Sequence, residues 1–167
     1  MTEYVKAIVT AQFEAALCML RNCIQACPPE HWESKVANGT FRWVAYHTLF
    51  WLDLYLSPGD EDDFELRDLH RRGGDERVEA AAGLSREETL EYVEICRRKL
   101  LETLAAETAE SLQARCGISM RKFSRGELHL YNFRHVQHHA GQLSALLRRV
   151  DPSLGQRDLP WIGSGWR

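Results

Sequence analysis

The chain lacks a basic excess: 21 lysines and arginines stand against 24 acidic residues, a formal net charge of -3. A dedicated nucleic-acid binder normally shows the opposite balance and a basic stripe. Arg97-Arg98-Lys99 and Arg148-Arg149 therefore read as solvated faces, the second placed where a helix C-terminus favours positive charge. No stretch approaches the roughly 20 apolar residues of a membrane span. Met1-Thr2-Glu3-Tyr4 has neither the basic n-region nor the apolar h-region of a signal peptide. Cysteine is odd in number, at five, and Cys18, Cys23 and Cys27 crowd into one expected helix, unlike a secreted disulfide framework. These absences predict a reduced, cytoplasmic protein with neither nucleic acid nor membrane as partner. Nucleophile motifs are missing as well. No serine sits in a G-x-S-x-G elbow, no P-loop Lys-Ser/Thr follows Gly73-Gly74, and no cysteine has a helix-start or basic setting that would activate it.

What remains is a helical pattern. At 167 residues and 44% hydrophobic, the chain is long enough for one domain, 1–167, with a core that needs no disulfides. Val5, Ile8, Val9, Phe13, Ala16, Leu17, Leu20 and Ile24 recur at three- and four-residue steps, predicting a helix over about 3–27 that Cys27-Pro28-Pro29 ends. A second helix, 40–56, takes Thr40 as N-cap and stops at Ser57-Pro58-Gly59. A long connection to about Leu84 then runs through Asp60-Glu61-Asp62-Asp63 and Gly73-Gly74, as a lid, a crossover or a solvated acidic loop. Ser85-Arg86-Glu87-Glu88 is a capping box and opens a helix over 85–108. Its stripe is Leu90, Val93, Arg97, Leu100, Leu101 and Leu104, with Arg97 the polar exception. Ser124-Arg125-Gly126-Glu127 repeats the box, with Phe123 and Leu128 as its hydrophobic staple, and opens a helix over 124–150. Between these two, Cys116-Gly117-Ile118 suits an extra turn or strand. A tail, 151–167, carries Trp161 and Trp166, which should pack on the helices. The fold class is all-α, a four-helix bundle with a long connection between its second and third helices.

Chemistry concentrates in His135-Val136-Gln137-His138-His139. At 100° per residue, His135 and His139 lie about 40° apart and one turn along the axis, so two imidazoles can converge on one ion. Leu128, Tyr131, Gln142 and Leu146 share their stripe, which should face inward. On the second helix, Trp43, His47, Phe50, Trp51 and Leu54 form the expected inward stripe, with His47 its only polar member. Packed helices lie about 8–10 Å apart, so His47 can supply a third ligand. A lone histidine on an apolar face is ordinarily a satisfied core residue, and an HxxxH pair can be a surface accident. Three on facing stripes would bury unpaired imidazoles at a desolvation cost that a shared metal removes. Three histidines and a vacant position describe an open site, and three imidazoles suit zinc, nickel, copper or iron. His138, on the other side of His135, belongs at the rim. Tyr131, His138 and Gln142 are the pocket candidates, and no acid–base residue is marked. His31 in the proline-rich turn, His70 in the long connection and His129 off the stripe have little claim, and Cys23 and Cys27 read as buried structural thiols.

Phe41-Arg42-Trp43-Val44-Ala45-Tyr46-His47, the stretch Phe133-Arg134-His135-Val136-Gln137-His138-His139-Ala140-Gly141-Gln142-Leu143 and the closing Leu159-Pro160-Trp161 resemble the DinB-like superfamily. The resemblance covers nearly the whole chain as an order of elements, and the H-x-x-x-H-x-G-Q-L stretch is its distinctive part. It implies a four-helix bundle holding one divalent metal ion, zinc or nickel foremost, through His47, His135 and His139. It also implies a homodimer and, in some branches, transfer or isomerisation with a low-molecular-weight thiol. Two functions follow as expectations. One is a metal-dependent transferase or hydrolase in which a thiol or metal-bound water attacks a small electrophilic substrate in a pocket roofed by the Ser57–Leu84 connection. The other is a non-catalytic metal-binding or stress-response protein with a structural or sensing ion.

Overall fold

The computed structural model describes residues 2–36, 39–73, 83–155 and 157–167. Four long helices dominate: α1 (Thr2–Ala26), α2 (Phe41–Leu56), α4 (Arg86–Ala106) and α6 (Arg125–Val150). Two short helices, α3 (Asp68–Gly73) and α5 (Ala109–Gln113), lie in the connections, and a two-residue antiparallel pair, β1 (Lys35–Val36) with β2 (Gly39–Thr40), leads into α2. α1 and α2 each pack on both α4 and α6. Phe13, Leu17 and Ile24 of α1, Leu49 and Leu52 of α2, Tyr92 and Leu100 of α4, and Val136, Leu143 and Leu147 of α6 meet in one core.

The helix starts follow local chemistry. Thr40 accepts from the Trp43 amide, and Ser85 with Glu88 and Ser124 with Glu127 close complete capping boxes. Each satisfies amide groups that a helix N-terminus leaves unpaired. Leu128 is buried with Phe123 against it, as the staple requires. The 108–123 connection forms α5 and two isolated bridges, Asp60 with Gly117 and Arg115 with Ser124. Gly117 presses so closely on the Gly59 carbonyl that a Cβ there would lie 1.9 Å from it, which only glycine tolerates.

The helical stripes are rotated from their sequence expectation. The deepest residues of α2 are Val44, Ala45, Thr48, Leu49, Leu52 and Leu56, while Trp43, His47, Phe50, Trp51 and Leu54 are half-buried along its flank. α6 likewise buries Leu128, Asn132, Val136, Ala140, Leu143 and Leu147, and its Tyr131, His135, His139 and Gln142 row runs beside that seam. A helix covered on several sides is apolar nearly all round, so periodicity alone does not select its deepest face. Arg97, the polar exception, pairs with Glu14 at 2.8 Å.

Two expectations need correction. By length and composition, α1 is apolar and long enough to cross a membrane, contrary to the sequence reading; here its Phe13, Leu17, Leu20 and Ile24 form part of the core. In the tail, Trp166 packs, with the guanidinium groups of Arg21 and Arg97 at 4.3 and 4.5 Å from its ring, but Trp161 is 76% exposed. Leu159 and Ile162, not Trp161, are the tail's other buried apolar groups.

Candidate metal centre

The β1–β2 pair and the Thr40 cap deliver α2 with Trp43 against Gly39, where a Cβ would sit 2.2 Å from the indole. That close approach fixes Trp43, whose ring stacks on His47 at 4.9 Å between centroids and 30° between planes. Trp51 meets the other edge of His47. On α6, His135 and His139 lie one turn apart, with ring centroids 4.6 Å apart and planes at 83°. His47 reaches across to both, at 5.5 Å and 5.2 Å. One ring nitrogen from each of the three lies within 4.8 Å of the others. His47, His135 and His139 are thus brought together as the sequence expected, and among the described residues no carboxylate or thiolate joins the group.

Burial pushes the His135 imidazole down to about 3, reinforced by the field of His139, His47, His138 and Arg121. Burial likewise brings His139 down to about 4, against the opposing effect of its hydrogen bond to the Gln142 oxygen. Both rings are neutral at pH 7, the form in which an imidazole offers a lone pair. The Nδ1 of His139 lies 2.8 Å from the Gln142 Oε1. Because an amide oxygen only accepts, Nδ1 carries the hydrogen and Nε2 the lone pair. The buried Nδ1 of His135 has no hydrogen-bond partner, a polar atom left unpaired at a cost of about 1–3 kcal/mol. Three imidazoles, one with its tautomer fixed and one with an orphaned nitrogen, fit a divalent ion that favours nitrogen donors.

All three histidines are half-buried, so the cluster is reachable. A cavity of about 460 Å³ opens beside it, lined by Tyr131, Phe133, Arg134, His135, Gln137 and His138. Of the sequence-level pocket candidates, Tyr131 and exposed His138 line this cavity, and Gln142 holds His139 instead. A larger cavity of about 840 Å³ lies elsewhere, at the C-terminal ends of α2 and α4 and the start of α6, and contains none of the three histidines. The described part of the long connection does not roof the centre either. Phe64 and His70 pack on Phe50, and Tyr46 donates to the His70 carbonyl, on the side of α2 that faces α4. Residues 74–82 of that expected lid lie outside the described residues.

Two histidines the sequence set aside are buried and engaged. His70, 3% exposed, accepts through Nδ1 from the Arg67 amide at 2.9 Å, and its Nε2 lies 2.8 Å from the Tyr92 hydroxyl. Tyr92 in turn donates to Asp53, fully buried on α2, which also receives Lys99 at 2.6 Å and Arg67. Burial, with the Arg67 and Lys99 cations, pushes His70 down to about 4. His129 sits 2.8 Å from Glu107, which also binds Arg125 and Ser111. Burial alone would raise the Glu107 carboxyl, but hydrogen bonds from Ser111, Arg125 and His129 outweigh it and bring it to about 2. Cys23 and Cys27 are buried thiols, pushed up to about 12 chiefly by that burial.

The fold and the cluster define a mostly helical protein with a three-imidazole group between two of its long helices. Residues 12–143 match the family model described as the DinB superfamily, and the chain belongs to that superfamily. Neither a curated protein nor a solved structure matches it.

Proposed function

We propose that the four long helices form a four-helix bundle around one divalent ion held by His47, His135 and His139, and that the protein is a metal-dependent enzyme. It would act on a small electrophile with a low-molecular-weight thiol or with water, as a transferase or a hydrolase. The observation that carries this reading is the set of three half-buried imidazoles whose nitrogens lie within 4.8 Å of one another, without a fourth protein ligand of the His, Cys, Asp or Glu type among the described residues. A closed, four-ligand set would suit a structural ion, and three ligands beside a cavity suit a catalytic one. When bound, the ion would supply Lewis acidity that favours the anionic form of a thiol or of water. The chain's own contribution is to orient: Trp43 holds the His47 ring and Gln142 holds His139.

The test is turnover. Zinc- or nickel-loaded protein is offered thiols with an epoxide, a halide and an activated acyl compound, beside a His47→Ala variant. Consumption of an electrophile by the wild type and not by the variant supports the enzyme. A metal-loaded protein that turns over none of them, and that unfolds when chelated, supports the non-catalytic, structural ion instead.

A further inference from the structure

Arg121 stands in the connection before α6, on backbone pinned from several directions. Its amide donates to the Ile118 carbonyl, the Cys116 amide donates to Phe123, and the Arg115–Ser124 bridge closes the base. The guanidinium lies over the Tyr131 ring, 4.5 Å from its centroid, and donates to the Tyr131 hydroxyl at 2.6 Å. Its Nε is buried and has no partner. Most other partly buried cations here meet acids: Arg97 meets Glu14, Lys99 and Arg67 meet Asp53, and Arg125 meets Glu107. Among the described residues Arg121 has no carboxylate partner.

Its position makes that isolation informative. Tyr131, the partner of Arg121, lines the cavity that also exposes His135, Tyr55 bridges Tyr131 and His135 by ring contacts at 5.7 and 6.4 Å, and Arg134 is the cation that lines the cavity itself. Among the described residues, no acid lines this cavity. A divalent ion on three imidazole ligands therefore adds positive charge near a guanidinium that lacks a carboxylate among the described residues. Like charges held together at low dielectric are costly until an anion joins them. A guanidinium that meets tyrosine hydroxyls and no carboxylate among the described residues keeps a full positive charge, in a fork geometry that matches a carboxylate.

We propose that Arg121, steadied by Tyr131, is the recognition residue for a carboxylate on the small molecule that reaches the three-histidine centre. Tyr131 accepts from Arg121 through its oxygen, and the Tyr55 hydroxyl meets the same pair. The substrate class is then a small anion with two separated functions, one that meets the ion and a carboxylate that meets Arg121. This inference rests on the metal reading above.

The experiment uses the full chain loaded with cobalt(II), whose visible absorption reports a thiol reaching the ion. Mercaptoacetate, 3-mercaptopropionate and 4-mercaptobutyrate are each titrated against the corresponding amide, which differs only in charge and one donor. The expected result is that at least one acid binds about 10-fold or more tightly than its amide in the wild type. That ratio should collapse toward one in Arg121→Gln, with the amide's affinity unchanged, and should survive in part in Arg121→Lys. Equal affinities of every acid and amide in the wild type, a comparison that needs no variant to fold, would overturn the proposal. So would a preference that persists in Arg121→Gln. Cobalt bound with no response to any thiol would overturn both the thiol route and this subsite, whereas failure to bind cobalt at all would bring down the metal reading itself.

Discussion

His135, His139 and His47 were legible because HxxxH spacing is a local property and the third histidine lay on the neighbouring helix. His70 and His129 were not, since their partners come from elsewhere in the chain. Tyr92 and Asp53 complete one group, and Glu107 with Arg125 the other. A histidine off the apolar stripe looks solvent-facing until the element that covers it is known. Gln142 had a positional signal, since it lies three residues after His139, within a turn of the helix, and the hydrogen bond gives it a definite task. Gln142→Ala should leave the fold intact and weaken zinc affinity about 10–100-fold, because it frees the His139 ring to change tautomer and orientation. Competition with a chromophoric chelator measures this, and unchanged affinity would remove Gln142 from the site.

Among the elements, α4 and α6 announced their starts through capping boxes, and α2 did so through Thr40. Their deepest faces were less legible. α2 meets α4 and α6 along with the 57–73 connection, so apolar residues surround it, and the stripe bearing His47 proved to be its flank. That flank placement serves the site, since a fully buried His47 would be closed to a ligand. The 57–73 connection has no sustained period of its own; its position comes from Phe64, His70 and Arg67 finding Phe50, Tyr92 and Asp53. At the head of α2, Gly39→Ala must displace the Trp43 indole, at a cost of about 1–3 kcal/mol for overpacking. Because Trp43 stacks on His47, the variant should also bind metal more weakly. Thermal unfolding and a metal titration check both effects, and a stable variant with wild-type affinity would show that Trp43 does not position His47.

At the scale of the whole molecule, ionisable groups buried between helices tie stability to pH. The folded His70 titrates at about 4, below its ordinary 6.5, so the unfolded chain takes up the proton first. Its contribution is complete above pH 6.5 and is lost as pH falls toward 4. Glu107, held at about 2 against 4.5, adds a further loss below pH 4.5. Urea unfolding of the metal-free protein should therefore show stability falling between pH 6.5 and 4, by on the order of 2 kcal/mol for His70 alone. His70→Gln should be less stable at pH 7 and show a flatter profile, and parallel profiles would contradict this assignment. The same reasoning applies to the three-histidine centre, where the His135 and His139 rings, neutral at pH 7, leave lone pairs for an ion. Its most direct test is metal content by mass spectrometry on untagged protein, for the wild type, His47→Ala and His135→Ala. The expected result is about one equivalent of divalent metal in the wild type, lost in both variants. Wild-type protein that holds no metal after loading with zinc or nickel would contradict the shared site and reduce the three histidines to packing residues.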